Sequence, residues 1–329
     1  MVQEARGGRR VLDTEFLDLE AYPFVSELDP QTSGISAFVT IQKGCDNHCT
    51  FCIVPSTRGA EASRPHAEIL AEVRALVGLG VREIVLIGQN VNSYGLKVPG
   101  ELTFAQLLYA VAAVPGVERI RYTTSHPRDM GPDVVQAYRD LPQLCSGLHL
   151  PVQSGSNRVL RRMKRYYTRE RYLELVAELR AARPDLALTT DVIVGFPGET
   201  DEDFEQTMSL LEAADFVGSF SFKYSPRPGT PALKLEDRDP VPPEVASTRL
   251  TAYQDAQRAR SLQFHQRLEG QVLDVLVEGP SAHDAGVICG RSGTFVPVNF
   301  PGDPALVGQT VPVRITRAFT HSVRGEAVA

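Results

Sequence analysis

The sequence predicts an α/β protein with a small all-β tail, on three observations. Short apolar, β-branched runs alternate with helical patterns six times between Ser36 and Tyr224, the rhythm of parallel β/α units. Beyond a long helical stretch the pattern changes to five short strands between Gln271 and Val328, as in a small β-barrel. Three of the five cysteines fall in one loop just behind the first strand, spaced C-x3-C-x2-C at Cys45, Cys49 and Cys52.

The elements follow in order. Residues 36–42 are apolar and β-branched and deliver the cysteine loop at the C-terminal end of a strand. Pro65 opens a helix with Ile69, Val73, Leu76 and Val77 on one face, and Gly78 and Gly80 close it. Residues 83–87 read as a buried strand. Helices at 103–114 and 132–139 precede strands at 119–122 and 147–150. Helices at 157–163 and 168–182 precede a strand at 187–194, and a helix at 201–214, acidic in its first turn, precedes a strand at 220–224. Six such units form either an open doubly wound sheet or a partial barrel, and periodicity does not choose between them. Prolines at 226–231 and 240–243 interrupt the chain before a helix at 244–269. Strands then follow at 271–277, 286–289, 295–299, 311–316 and 322–328. Residues 1–30, apolar islands between Gly, Pro and acidic residues, read as a linker or the remnant of something larger.

A chain of 329 residues has room for two domains. No apolar run approaches the roughly 20 residues that span a bilayer, and the polar first ten residues lack a secretory signal's apolar segment. Cysteines clustered rather than spread for pairing point to a reducing cytoplasm, with Cys145 and Cys289 read as buried small hydrophobes. The net charge of −6 sits awkwardly with nucleic-acid binding, although local patches matter more than the total. One patch is residues 158–172, with seven basic residues and three interleaved tyrosines. It is either a phosphate-and-stacking surface or a solvated helix pair. Its candidates for RNA contact are Arg161, Arg162, Lys164 and Arg165.

Closely spaced thiolates converge on a soft-metal centre, and three of them leave a position that a closed four-ligand zinc site would fill. Parallel β/α folds place ligand sites at the carboxyl ends of strands. The candidates there are Gly88, Gln89 and Asn90, then Ser125 and His126, then Gln153 and Ser154, with residues 195–199 beyond. Each is otherwise a helix cap or a packing residue. Gly78-Leu79-Gly80 follows a helix, the wrong context for a dinucleotide fingerprint, and no nucleophile-elbow signature is present.

The run Gly44-Cys45-Asp46-Asn47-His48-Cys49-Thr50-Phe51-Cys52-Ile53-Val54-Pro55, with Thr57-Arg58-Gly59 and Ser63-Arg64-Pro65, resembles the radical S-adenosylmethionine (SAM) methylthiotransferases. Within them it is most similar to the MiaB-type enzymes, which methylthiolate isopentenyladenosine in tRNA. The likeness continues through Gln89-Asn90-Val91-Asn92-Ser93-Tyr94-Gly95, Thr124-Ser125-His126-Pro127, Leu148-His149-Leu150-Pro151-Val152-Gln153-Ser154-Gly155-Ser156 and Gly195-Phe196-Pro197-Gly198-Glu199-Thr200. It covers roughly residues 31–329.

The resemblance implies an open (β/α)6 radical SAM partial barrel over residues 31–263 and a C-terminal OB-like TRAM barrel over 265–329. It implies a [4Fe-4S] cluster held by Cys45, Cys49 and Cys52, with SAM on the fourth iron and the strand-end candidates around it. Arg58 and Arg64 would meet a SAM carboxylate or an RNA phosphate, and Arg291 of the Gly290-Arg291-Ser292 turn would meet tRNA. The implied reaction is methylthiolation at C2 of N6-isopentenyladenosine next to the anticodon, fed by an electron donor such as flavodoxin or ferredoxin, in a cytoplasmic monomer. Sister activities act on threonylcarbamoyladenosine tRNA or a ribosomal protein, and a non-enzymatic zinc and RNA-binding fragment is the competing class. The family carries three further cysteines in an N-terminal domain for a second cluster. Residues 1–43 hold none, so the sequence reads as a fragment, a mis-assigned start or a truncated protein lacking that domain.

Overall fold

The structure, a computed structural model, describes residues 34–281, 284 and 286–328. The expected linker at 1–30 lies outside the described residues. Six core strands are β1 (Ser36–Thr40), β2 (Glu83–Ile87), β3 (Arg119–Tyr122), β4 (Gly147–His149), β5 (Ala187–Val194) and β6 (Gly218–Lys223). Parallel ladders join β1 to β2 and β2 to β3, and likewise β4 to β5 and β5 to β6. Just ahead of β4 the two groups meet: the Ile120 amide donates to the Gln143 carbonyl at 2.8 Å and the Cys145 amide to the Ile120 carbonyl at 3.0 Å. Spatial order therefore follows chain order without reversal. A doubly wound sheet reverses at a switch point, so the topology selects the partial barrel. Among the described residues no ladder joins β1 to β6, which leaves it open.

Helices α1 (His66–Gly78), α2 (Phe104–Ala112), α3 (Pro132–Asp140), α4 (Asn157–Arg162), α5 (Arg169–Ala182) and α6 (Asp201–Ala213) cover the sheet. Their apolar stripes, such as Ile69, Val73 and Leu76 of α1, close on strand residues such as Val39, Ile84, Leu86 and Ile120 in one core. Thr103 and Thr200 make capping boxes with Gln106 and Asp203, which is why α2 and α6 start where they do. The long α7 (Pro243–Arg267) follows, and among the described residues no helix is long and apolar enough to cross a membrane.

The tail closes on itself. Strands β7 (Val272–Pro280), β8 (Val287–Arg291), β9 (Pro297–Pro301), β10 (Thr310–Ala318) and β11 (Val323–Ala327) form a barrel in the order β8-β9-β11-β10-β7. Its core is separate from the first and includes Val275, Val277, Val298, Phe300 and Ile315.

Two buried arginines fasten the barrel to the sheet. Arg119 donates to the main-chain carbonyls of Arg291 (2.6 Å) and Asp274 (2.8 Å), and Arg121 to those of Ser292 (2.7 Å) and Gly293 (3.1 Å). Phe295 stands between Arg121 and Arg291, each guanidinium within 4.7 Å of its ring centre. A Cβ at Gly147 would come 3.1 Å from the Thr294 carbonyl group, so a glycine there admits the barrel's turn. Arg119 and Gly147 begin β3 and β4, so the barrel docks at the amino ends of the strands, opposite the cysteines.

Candidate cofactor site

The cysteine loop hangs from the carboxyl end of β1, pinned by the short ladder of Gln42–Lys43 with Ala62–Ser63. Gly44 has φ +70°, and a Cβ there would collide with the Ala60 carbonyl, so only glycine fits. The Gly44 amide donates to Gln89 Oε1 at 2.7 Å, and the Cys45 amide to the Gly59 carbonyl at 3.3 Å. On the far side the Thr50 amide and hydroxyl donate to the carbonyls of Met163 (3.0 Å) and Arg162 (2.9 Å), at the carboxyl end of α4. Cys45, Cys49 and Cys52 are free thiols, the first two buried and the third half-buried. Burial pushes the Cys45 and Cys52 thiols up, so a metal binding there must displace their protons. Among the described residues no three His, Cys, Asp or Glu side chains are drawn together as one ion would require. A cubane instead puts each thiol on a different iron.

Three further strand ends converge here. After β2, the Asn90 amide donates to Gln42 Oε1 at 2.9 Å and its side-chain nitrogen to Asp129 at 2.7 Å, while Asn90 Oδ1 is buried without a partner. After β3, Thr124 takes φ +68° and is followed by Ser125, whose buried hydroxyl also lacks a partner. After β4, Gln153 takes φ +72° and lines a cavity of about 340 Å³ with Cys52, Asp191, Ile193, Phe222 and Tyr224. Left-handed non-glycine residues cost on the order of 1–3 kcal/mol each and cluster at functional sites. Two orphaned polar atoms at strand ends on the cysteine side of the sheet leave hydrogen-bonding capacity that a polar cofactor bound there would use.

His126 is buried, its backbone clasped by Asn92 (2.9 and 2.8 Å) and its Nδ1 accepting from the Arg128 amide at 3.2 Å. Burial, then Arg165 and Arg128, push its pKa down to about 2, so the ring is neutral. At residues 195–199, the buried Glu199 accepts from the Gly195 amide (2.5 Å) and Arg249 (2.9 Å), locking that loop to α7.

Several sequence expectations change. Ser154 is wholly buried, and its hydroxyl meets Thr207 (3.4 Å) and the Ser156 amide (3.2 Å) rather than the cavity, because Gly155 packs tightly on α6. Gly88 packs on Gln42, and Gln89 serves the loop rather than open space. Arg64 is buried and pairs with Glu68 and Glu72 of α1, which removes it from the cofactor contacts. Arg165 is buried, not a surface contact for RNA. It donates to Cys49 Sγ at 3.4 Å, the Pro151 carbonyl at 2.9 Å and Tyr167 Oη at 3.0 Å. Nothing in the basic run distinguishes it from its exposed neighbours Arg161 and Lys164. Arg162 pairs with Asp239 at 2.6 Å, and Arg291 with Glu278 at 2.8 Å while remaining partly exposed. Cys145 is buried as expected, whereas Cys289 is only half-buried.

With this geometry in place, comparison with known proteins is direct. Residues 39–211 match the model of the radical SAM superfamily and residues 266–328 that of the TRAM domain. The chain is 48% identical over 326 residues to the tRNA-2-methylthio-N(6)-dimethylallyladenosine synthase of Geobacter metallireducens, covering 99% of this chain and 73% of that protein. It is 48% identical to the Nitrosospira multiformis enzyme of the same name, covering 98% of this chain and 68% of that one. Among solved structures, the radical SAM methyltransferase TsrM of Kitasatospora setae superposes with a TM-score of 0.50 at 16% identity. That match spans 77% of this chain but only 42% of TsrM, a likeness of fold alone. A cysteine triad at the head of an open six-stranded barrel and a TRAM barrel at its foot are thus joined to near chain-long identity, and the chain belongs to the radical SAM superfamily, in the family of the tRNA-2-methylthio-N(6)-dimethylallyladenosine synthases.

Proposed function

We propose that this chain is a radical SAM tRNA-modifying enzyme that methylthiolates C2 of N6-isopentenyladenosine next to the anticodon. The observation that carries the reading is the triad of free thiols Cys45, Cys49 and Cys52, of which Cys52 lines a cavity together with Gln153, Asp191 and Ile193. The triad holds a [4Fe-4S] cluster, and SAM is the second cofactor. Together they supply hydrogen-atom abstraction when bound. Gln89 and Gly44 fix the loop, and Asn90 Oδ1 and the Ser125 hydroxyl offer SAM its polar contacts. Gln153, Asp191, Ile193 and Phe222 line the way to the substrate.

The core at 31–263 then carries the chemistry and the tail at 265–329 grips tRNA. Arg161, Lys164 and the partly exposed Arg291 supply phosphate contacts despite the net charge of −6. The electron comes from a low-potential donor such as flavodoxin or ferredoxin, and the setting is the cytoplasm.

The test is anaerobic reconstitution with iron and sulfide, followed by electron paramagnetic resonance of the reduced protein with and without SAM. About four irons on the triad, a signal that SAM changes, and loss of both in Cys49→Ser support the reading. Stoichiometric zinc with no response to SAM sinks it. Mass spectrometry of tRNA nucleosides from a strain lacking the gene assigns the base: unchanged methylthio-isopentenyladenosine removes that substrate in favour of threonylcarbamoyladenosine or a ribosomal protein.

A further inference from the structure

We infer that Arg165 is a positioning residue for the cluster: its guanidinium is the buried countercharge that makes the Cys49 side of the iron–sulfur centre easier to reduce. The inference rests on the cluster reading above and adds to it a residue that contacts a ligand rather than supplying one.

Arg165 is 5% exposed and follows α4 in the turn that carries Thr50's two hydrogen bonds. Among the described residues its polar partners are Cys49 Sγ, the Pro151 carbonyl and the Tyr167 hydroxyl, and none of them is a carboxylate. A buried cation facing only neutral groups is costly to keep, so such a charge is retained where an anion completes it. The thiolate of Cys49 is that anion, and every electron added to a thiolate-bound cluster enlarges the negative charge opposite Arg165. Hydrogen bonds to ligand sulfur and nearby charge both set iron–sulfur potentials.

The backbone is bent to hold the residue there. Lys164 at φ +55° and Tyr166 at φ +58° flank Arg165, two non-glycine residues in the left-handed region with one residue between them. Their side chains are exposed while that of Arg165 is driven inward. The Tyr167 ring lies 5.4 Å from the guanidinium and 5.7 Å from the His126 ring. His126 and Arg128 are the titratable and charged neighbours on that side, and His126 is neutral.

The test compares native protein, Arg165→Lys and Arg165→Met, each reconstituted anaerobically and titrated with dithionite in the absence of SAM. Iron content and the reduced fraction at fixed poise are the readouts. The expected result is native-like iron in all three and at least a tenfold lower reduced-to-oxidised ratio in Arg165→Met, about 59 mV for one electron. Arg165→Lys, which keeps the charge, stays within a few-fold of native. Iron uptake by Arg165→Lys but not by Arg165→Met equally supports a countercharge. An unchanged ratio in an iron-loaded Arg165→Met overturns the inference. Failure of both variants to load iron overturns it too, marking Arg165 as scaffold. A native chain that takes up no iron fails the cluster reading itself.

Discussion

Arg121 Nε donates to Glu83 Oε2 at 2.8 Å across neighbouring strands, with side chains only 5% and 4% exposed. The same guanidinium reaches two carbonyls of the barrel's turn, so one buried pair serves both the sheet and the domain seam. Removing Arg121 leaves Glu83 an uncompensated buried charge. Arg121→Met is expected to cost about 3–5 kcal/mol in urea unfolding and to speed proteolysis between the two units. The double variant Arg121→Met with Glu83→Gln should recover part of that loss; no recovery would show that the seam contacts, not the ion pair, dominate.

His126 makes an acid-sensitive site. Its pKa is held at about 2 in the fold by burial and by Arg165 and Arg128, against 6.5 in the open chain. Below pH 6.5 the unfolded chain binds a proton that the folded one refuses, so stability falls as pH falls. Between pH 7.5 and pH 5 the apoprotein should lose about 2 kcal/mol from this group. In His126→Asn the loss should shrink by that amount, as read from denaturation midpoints at the two pH values.

Gly44→Ala should uncouple metal binding from folding. The added Cβ would meet the Ala60 carbonyl, a backbone group that cannot swing away, and φ +70° is strained for alanine in any case. Thermal melting of the core should shift by a few degrees at most, because the loop lies outside the main apolar cluster. Iron uptake after reconstitution should fall severalfold. Normal uptake would mean that the loop tolerates a second backbone course.

Asp203 ties two helices together. Its carboxylate accepts from Ser156 Oγ (2.5 Å) at the start of α4 and from the Thr200 amide (2.9 Å) at the start of α6, and it pairs with Arg158. Burial opposes its charge, but Arg158, Ser156 and Thr200 prevail and hold its pKa down at about 2. Asp203→Ala should destabilise by about 2–4 kcal/mol, and Asp203→Asn by less. The stability from the charged form is present above the ordinary aspartate range and is lost as pH falls toward 2.

The six-unit core was legible because its signals are local: strand runs at 83–87 and 187–194 bounded by caps and glycines. The choice of partial barrel over doubly wound sheet was not, since strand order is a property of pairings between distant segments. The resemblance supplied it. In the tail the first four strands run two or three residues past their expected ends, and bulges at Cys289/Gly290 and Ile315/Arg317 break the alternation there. The cysteine ligands announce themselves by spacing, whereas Arg165 reads as one more basic residue in a charged run. Only the left-handed turns at Lys164 and Tyr166, invisible to composition, point it inward. Arg119 and Arg121 were hidden for the complementary reason: a strand pattern of Arg-Ile-Arg-Tyr reads as half-solvated until a second domain covers it.

The two ends of the sheet hold different equipment, thiols at one and the TRAM barrel at the other. β5, the longest core strand at eight residues, measures about 26 Å at roughly 3.3 Å per residue. A single molecule that touches both ends must bridge that depth, a span that a lone nucleoside cannot cover and a folded stem can.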